Sequence, residues 1–274
     1  MPRPGTRHIP STVFVIARAV VPVAAALAVF GLLGSCTGER PSLGPPGPAI
    51  SSTTLTSTTT TAPTKAPLGP DSLLGYIATP NATPVVRAEP RDNSLAIAIP
   101  KKTEAGAPTT FAVIGSPAAE AGGWLQVLLP TRPNGTTAWV PASSVKITKT
   151  NLRIFVDLNA RALRVERAGQ EVLARQIAIG SSANPTPVGA SYVTELIDNN
   201  EPAGAYGPYA FGLALHSDTL SEFGGGDGQV GIHGTNQPKL IGQAVSHGCV
   251  RLTNADVVKL VGLDLPLGVP VFIS

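Results

Sequence analysis

Residue types able to do nucleophilic and acid–base chemistry fall together in one stretch, 232–256, IHGTNQPKLIGQAVSHGCVRLTNAD. It holds two of the four histidines, His233 and His247, together with Cys249, the cysteine remote from the N-terminus. A thiol serves catalysis when an imidazole can take its proton and backbone N–H groups can receive the negative charge made on a substrate oxygen. On that logic His233 is a candidate base and Cys249 a candidate nucleophile. The turn Ser246-His247-Gly248-Cys249 is a source of aimed N–H groups, and Gly248 permits a tight backbone that leaves room for substrate. His216, His233, His247 and Cys249 are also metal-ligand types. No HxxxH or CxxC spacing backs that reading, so no metal is expected. No Gly-rich loop leads from a strand into a helix as phosphate binding needs, since Gly224-Gly225-Gly226 lies between strands, and no cofactor is expected.

The rest of the chain must position these groups. With 29 Gly, 27 Pro and few aromatics in 274 residues, the composition points to short strands and turns with a disordered stretch. Arg3, Arg7 and Arg18 account for the whole excess of 20 basic over 17 acidic residues. The remainder is neutral, which excludes an electrostatic case for nucleic acid. Those arginines open an export signal, residues 1–35, whose apolar run from about 19 to 33 is short and broken by Pro22. The run ends in Leu33-Gly34-Ser35-Cys36, which resembles a bacterial lipobox. That resemblance implies lipidation of Cys36, attachment to the membrane by a lipid anchor, and an extracytoplasmic location facing the cell wall. The bland alternative is an ordinary signal with an incidental cysteine. With Cys36 lipidated, Cys249 has no partner and stays a free thiol where cysteines usually pair.

Residues 37–72 are rich in Pro, Ser and Thr, without periodicity, and suggest a disordered tether. As a flexible coil, roughly 35 residues span about 35 Å. A β domain over 75–148 is expected from short runs at 84–89, 95–99, 111–114, 124–129 and 137–140, with an Asn134-Gly135 turn. Gly123-Trp124-Leu125-Gln126-Val127 and Ala138-Trp139-Val140-Pro141 resemble strands of bacterial SH3-like domains, which implies a small β-barrel. Trp124 and Trp139 are then either core or ligand platform. From 150 to 274 longer strands follow, at 152–158, 162–166, 171–179, 191–196, 209–215, 229–233 and 269–273. Asn254 is expected to cap a short helix over 255–260.

The segment from Ile232-His233-Gly234-Thr235 through Ser246-His247-Gly248-Cys249-Val250-Arg251-Leu252, with 16 positions from His233 to Cys249, resembles the signature of the L,D-transpeptidase (YkuD-type) catalytic domain. The resemblance covers about 150–274 and is supported by the opening hairpin and by Thr186-Pro187-Val188-Gly189. It implies a mainly all-β chain, an SH3-like barrel followed by a β-sandwich-like catalytic domain with one or two short helices. It also implies a peptidoglycan L,D-transpeptidase, with stem peptides as partners: Cys249 attacks a donor tetrapeptide, D-Ala leaves, and an acceptor amine resolves the thioester to a 3→3 crosslink. His233 would shuttle the proton, its other ring nitrogen held by a backbone carbonyl at Gly234. The N–H groups of Gly248 and Cys249 would stabilise the oxyanion, a contribution of about 3 kcal/mol per donor. His247 and Ser246 would line the site. Apart from the resemblance, Tyr206 and Tyr209 fall in a loop-rich stretch, 199–209, that is a candidate lid over the cleft with substrate contacts. Arg251 either holds a stem carboxylate or forms a structural ion pair beneath the loop. Carbapenem-type inhibitors are expected to acylate Cys249. Hydrolysis by the same thiol, attachment of proteins to the wall, and a non-catalytic wall-binding lipoprotein stay open as alternatives.

Overall fold

A computed structural model describes residues 68–117 and 122–274. The signal segment, Cys36 and all but the last residues of the tether lie outside the described residues. Among the described residues no helix is long and apolar enough to cross a membrane.

The N-terminal part is built of seven short strands: β1 Tyr76–Pro80, β2 Val86–Arg87, β3 Ala96–Ile97, β4 Phe111–Ala112, β5 Trp124–Leu128, β6 Thr137–Pro141 and β7 Val145–Lys149. They form a three-stranded sheet, β4-β1-β7, and a four-stranded one, β3-β2-β6-β5. Alternate residues such as Phe111, Leu125, Val127 and Val140 turn inward to a common core. β1 and β7 were not foreseen from the sequence. β1 buries only the adjacent Ile77 and Ala78, and β7 only Val145, so neither has the alternation that marks a half-buried strand.

The C-terminal part contributes β8 Leu152–Asp157, β9 Ala162–Arg167, β10 Gln170–Gln176, β11 Ile179–Gly180, β12 Gly189–Asp198, β13 Tyr209–His216, β14 Gln229–His233, β15 Ala244–Ser246, β16 Val250–Arg251 and β17 Pro270–Ile273. One eight-stranded sheet runs β10-β9-β8-β17-β12-β13-β14-β16. The β8–β9–β10 hairpins follow from local turn chemistry. Ala160 N–H donates to Asp157 Oδ1 in the first, and Ala168 and Gly169 both take positive φ in the second, the geometry of a type I′ turn. β12 is central and buried along nearly its whole length. Two pairings are parallel within this sheet, β17 with β8 and β14 with β16.

The single α-helix among the described residues, α1 Asn254–Val261, buries Val257 and Leu260 against the sheet. Its cap is Thr253, not Asn254: the Thr253 hydroxyl accepts from Asp256 N–H. Asn254 is free for another task because the preceding residue, extended and β-branched, satisfies the first turn.

The two parts share a core. Leu73, Ala112 and Leu128 pack with Ala190, Tyr192, Ala214 and Phe272 in one buried cluster. The tip of the β5–β6 hairpin adds polar ties: the Arg132 guanidinium donates to the carbonyls of Ser217, Leu220 and Asp227. Asn134 donates to His216 O at 2.8 Å and accepts from His216 N–H at 2.9 Å. Tyr192 is fully buried with no partner for its hydroxyl, and burial pushes its ionisation far above the usual tyrosine range. Two substitutions therefore differ in sign. Leu128→Ala should cost about 2–5 kcal/mol through a cavity in the shared core, in a single denaturant transition covering both parts. Tyr192→Phe, which removes an unsatisfied hydroxyl, should leave stability unchanged or raised in the same assay.

Candidate active site

Three neighbouring strands build the floor of a cavity of about 190 Å³. Alternate residues face it: Glu195 and Ile197 from β12, Ala210 and Gly212 from β13, and Gln229, Gly231 and His233 from β14. Antiparallel register aligns them in rows, Glu195–Gly212–Gly231 and Ile197–Ala210–His233. Parallel pairing of β16 on β14 sets Val250 beside Ile232, which brings Cys249 against Gly231. Gly231 N–H donates to Cys249 Sγ at 3.4 Å. His233 and Cys249 thus share one wall of the cavity. Among the described residues no hydrogen bond joins them directly.

His233 is 3% exposed, and its Nδ1 lies 2.6 Å from Gly234 O. A carbonyl can only accept, so Nδ1 carries the proton and Nε2 is the basic nitrogen. Burial lowers the His233 pKa to about 4, with the Arg251 charge adding to the shift and the Gly234 bond opposing it. Burial pushes the Cys249 thiol up, against the Gly231 bond and the Arg251 charge. Both effects favour a resting thiol and neutral imidazole over a thiolate–imidazolium pair. A nucleophilic role for Cys249 would therefore need a base at the moment of attack, a part that the neutral Nε2 of His233 is free to play.

The turn behind the thiol is pinned by Ser246. Its buried hydroxyl donates to Cys249 O at 2.6 Å and accepts from Gly248 N–H at 3.1 Å. Gly248 takes φ +119°, a conformation that side chains rarely adopt. The expected pair of oxyanion donors is therefore reduced. Gly248 N–H is already engaged by a hydroxyl two residues away, and Cys249 N–H is the one without a partner among the described residues. Ser246 shapes the turn instead of lining the cavity. His247 is exposed and stacks on Phe223, with ring centroids 4.9 Å apart.

The loop 199–208 also places its residues differently from expectation. Tyr209 packs on the main core and is not among the cavity-lining residues. Tyr206 lines the cavity instead, its ring 4.8 Å from that of His233. Tyr209 begins β13, where Asp198 fixes its register, whereas Tyr206 lies in the connecting loop. Asn254, relieved of capping, accepts from Thr235 N–H at 2.8 Å and donates to Pro202 O at 2.7 Å. It thereby ties this loop to the residues that follow His233. Gly207 and Gly234 must be glycine here, because a Cβ on either would fall within 2.5 Å of Asn254 Oδ1. Arg251 stands beside His233 in the β14–β16 register, and its buried Nε has no partner. Among the described residues no carboxylate forms an ion pair with it. His216 is 4% exposed and bonds Asp227 at 2.9 Å. No group of three or more His, Cys, Asp or Glu residues that could hold a metal ion occurs among the described residues.

A thiol and a tautomer-locked imidazole on one cavity wall form a nucleophile–base arrangement suited to acyl transfer. Residues 151–273 match the family model of the L,D-transpeptidase catalytic domain, YkuD. The YkuD protein of Bacillus licheniformis, a candidate L,D-transpeptidase, is 36% identical over 122 residues. Its counterpart in Bacillus subtilis is 33% identical over 121. Each match covers 44% of this chain and 65% of the relative, so the chain spans slightly under two thirds of their length. Among solved structures, the NMR structure of the catalytic domain of the Enterococcus faecium L,D-transpeptidase is 22% identical, covering 44% of this chain and 95% of that one, at a TM-score of 0.32. The sequence matches thus liken residues 151–273 to a YkuD-type L,D-transpeptidase catalytic domain.

Three outcomes follow for the site. His233 must be unprotonated to act, and its pKa lies near 4, so reactivity should be retained down through pH 6 and lost as pH falls through about 4. Iodoacetamide labelling of Cys249, followed by mass spectrometry, should in turn set in at higher pH than for a free thiol. Asn254→Ala should leave the fold intact and slow labelling or turnover roughly tenfold by loosening the segment after His233.

Proposed function

We propose that the protein is a peptidoglycan L,D-transpeptidase working through a Cys249 thioester. The observation that carries this reading is the placement of Cys249 and His233 on one cavity wall, with His233 Nδ1 held by Gly234 O at 2.6 Å so that Nε2 is left to take a proton. His233 accepts the thiol proton as Sγ bonds to the carbonyl carbon of the donor's third residue. The negative charge on the carbonyl oxygen is met by Cys249 N–H. The C–N bond to the terminal D-Ala breaks, and His233 returns the proton to the leaving amine. An acceptor stem's side-chain amine then attacks the thioester, gives a proton to His233, and releases the thiol with a 3→3 crosslink formed. Arg251, whose Nε has no protein partner, is available to a stem carboxylate.

The same proposal places the protein outside the cytoplasm, lipid-anchored through Cys36 and facing the wall, on the strength of the Leu33-Gly34-Ser35-Cys36 run. Carbapenem-type inhibitors would acylate the same thiol. An L,D-transpeptidase of known structure has been solved in complex with imipenem, which gives that expectation its chemistry.

Purified protein incubated with disaccharide tetrapeptide should yield a dimer lighter by one alanine, resolved by mass spectrometry and resistant to chelators. Cys249→Ala should abolish it while leaving the thermal transition in place. Tripeptide without dimer would instead mark water as the acceptor. Substantial turnover by well-folded Cys249→Ala would sink the thioester mechanism.

A further inference from the structure

Glu195 is a carboxylate for which the chemistry above has no use. It is 4% exposed, and its Oε2 has no hydrogen-bond partner. Among the described residues no Lys, Arg or His forms an ion pair with it. A carboxylate removed from water without a compensating partner is costly, and such groups in native proteins call for a reason. The same side chain lines the cavity that holds Cys249 and His233.

Its place in the sheet supplies the reason. Glu195 pairs with Gly212, Gly212 pairs with Gly231, and Gly231 N–H touches the Cys249 thiol. All four residues line the cavity. Two glycines therefore make a bare floor between carboxylate and nucleophile. A Cβ on Gly212 would lie 2.7 Å from Glu195 Cγ and 2.8 Å from Oε1, so any side chain there would displace the carboxylate. At the usual spacing of neighbouring strands, Glu195 stands about 10 Å from Gly231.

The surrounding charges have one sign. Glu104 and Asp227 line the same cavity, and no Lys or Arg does. A second cavity of about 460 Å³ lies behind, sharing Glu104, Glu195, Asp227 and Gln229 and adding Lys102 and His216. His216 is engaged with Asp227. The end of the catalytic cavity away from the thiol is thus acidic, Lys102 lines only the cavity behind it, and among the described residues no cation is paired with Glu195.

We propose that Glu195 receives a primary ammonium group on the acyl donor, carried by the side chain of the residue whose carbonyl Cys249 attacks. A side chain of lysine length or one carbon longer, roughly 6 to 8 Å by ordinary bond lengths, spans the glycine floor. This assignment rests on the acyl-transfer reading above and names what selects the donor: Glu195, whose carboxylate leans over Gly212 toward the thiol, is a specificity-determining residue for that amine.

The test compares two donor tetrapeptides that differ only in that amine, free or acetylated, by kcat/KM from mass-spectrometric product release. The unmodified protein should prefer the free amine by roughly 10- to 100-fold, as a charge-assisted hydrogen bond allows. Glu195→Gln, which keeps the shape without the charge, should bring the ratio to within about threefold of one, through loss on the free-amine donor. Its melting temperature should be equal or higher, because an unpaired buried carboxylate has been removed. A structural role would lower it. Unchanged preference in Glu195→Gln, equal use of both donors by the unmodified protein, or a lowered melting temperature with equal loss on both donors would each overturn the assignment. Turnover of neither donor would overturn the acyl-transfer reading and this inference with it.

Discussion

Parallel pairing of β14 with β16 is the constraint on which the site depends. Parallel neighbours cannot be joined by a tight hairpin, because the chain must travel back along the strand before it can pair again, a crossover of a dozen or more residues. The 15 residues between His233 and Cys249 are that crossover. Its own structure is slight, a 3-10 turn at Pro238–Leu240 and β15, which pairs with β11. Spacing that looks like a chemical signature is thus a topological requirement: base at the end of one strand, nucleophile at the start of the next. Sheet hydrogen bonds hold the two at a fixed separation, and the Ser246 hydroxyl holds the turn from behind.

Burial sets the electrostatics of the pair. A thiolate–imidazolium pair would need partners for both charges, and the cavity offers the sulfur little beyond Gly231 N–H. Burial instead favours the neutral form of both groups. Arg251 tempers this from one register position away, favouring the thiolate while disfavouring a protonated His233. An acidic far end and a neutral reactive end give the cavity a polarity along its length, with two glycines between.

The N-terminal strands are part of the same structure. They share a buried cluster with β12, β13 and β17, and Arg132 and Asn134 hold the backbone of 216–227. That loop carries Phe223, which stacks on His247, and Asp227, which bonds His216. Glu104 reaches the catalytic cavity directly. Disturbing this part should be felt at the site through the loop it fixes, and the division into separate domains suggested by composition is blurred by a common core.

Much was legible from neighbours along the chain. His233 and Cys249, the β8–β9–β10 hairpins and the short helix are specified by residues within a few positions of one another, through alternation, turn residues and the sharp His-Gly-Cys turn. What the sequence by itself determined, then, was a mostly β chain with its nucleophile and base. The tertiary structure decided which other groups face them. Of Tyr206 and Tyr209 only Tyr206 reached the cavity, because strand register turned Tyr209 into the core. Asn254 became a tie across loops because Thr253 took the cap. Gly248 N–H was spent within its own turn. Glu195 entered the cavity only because three strands align it with Gly212, Gly231 and the thiol. Such lateral rows join residues up to 54 positions apart, from Glu195 to Cys249, and a shift of one residue in any pairing would turn them to the opposite face. Register is a property of the assembled sheet, so no local pattern can announce it.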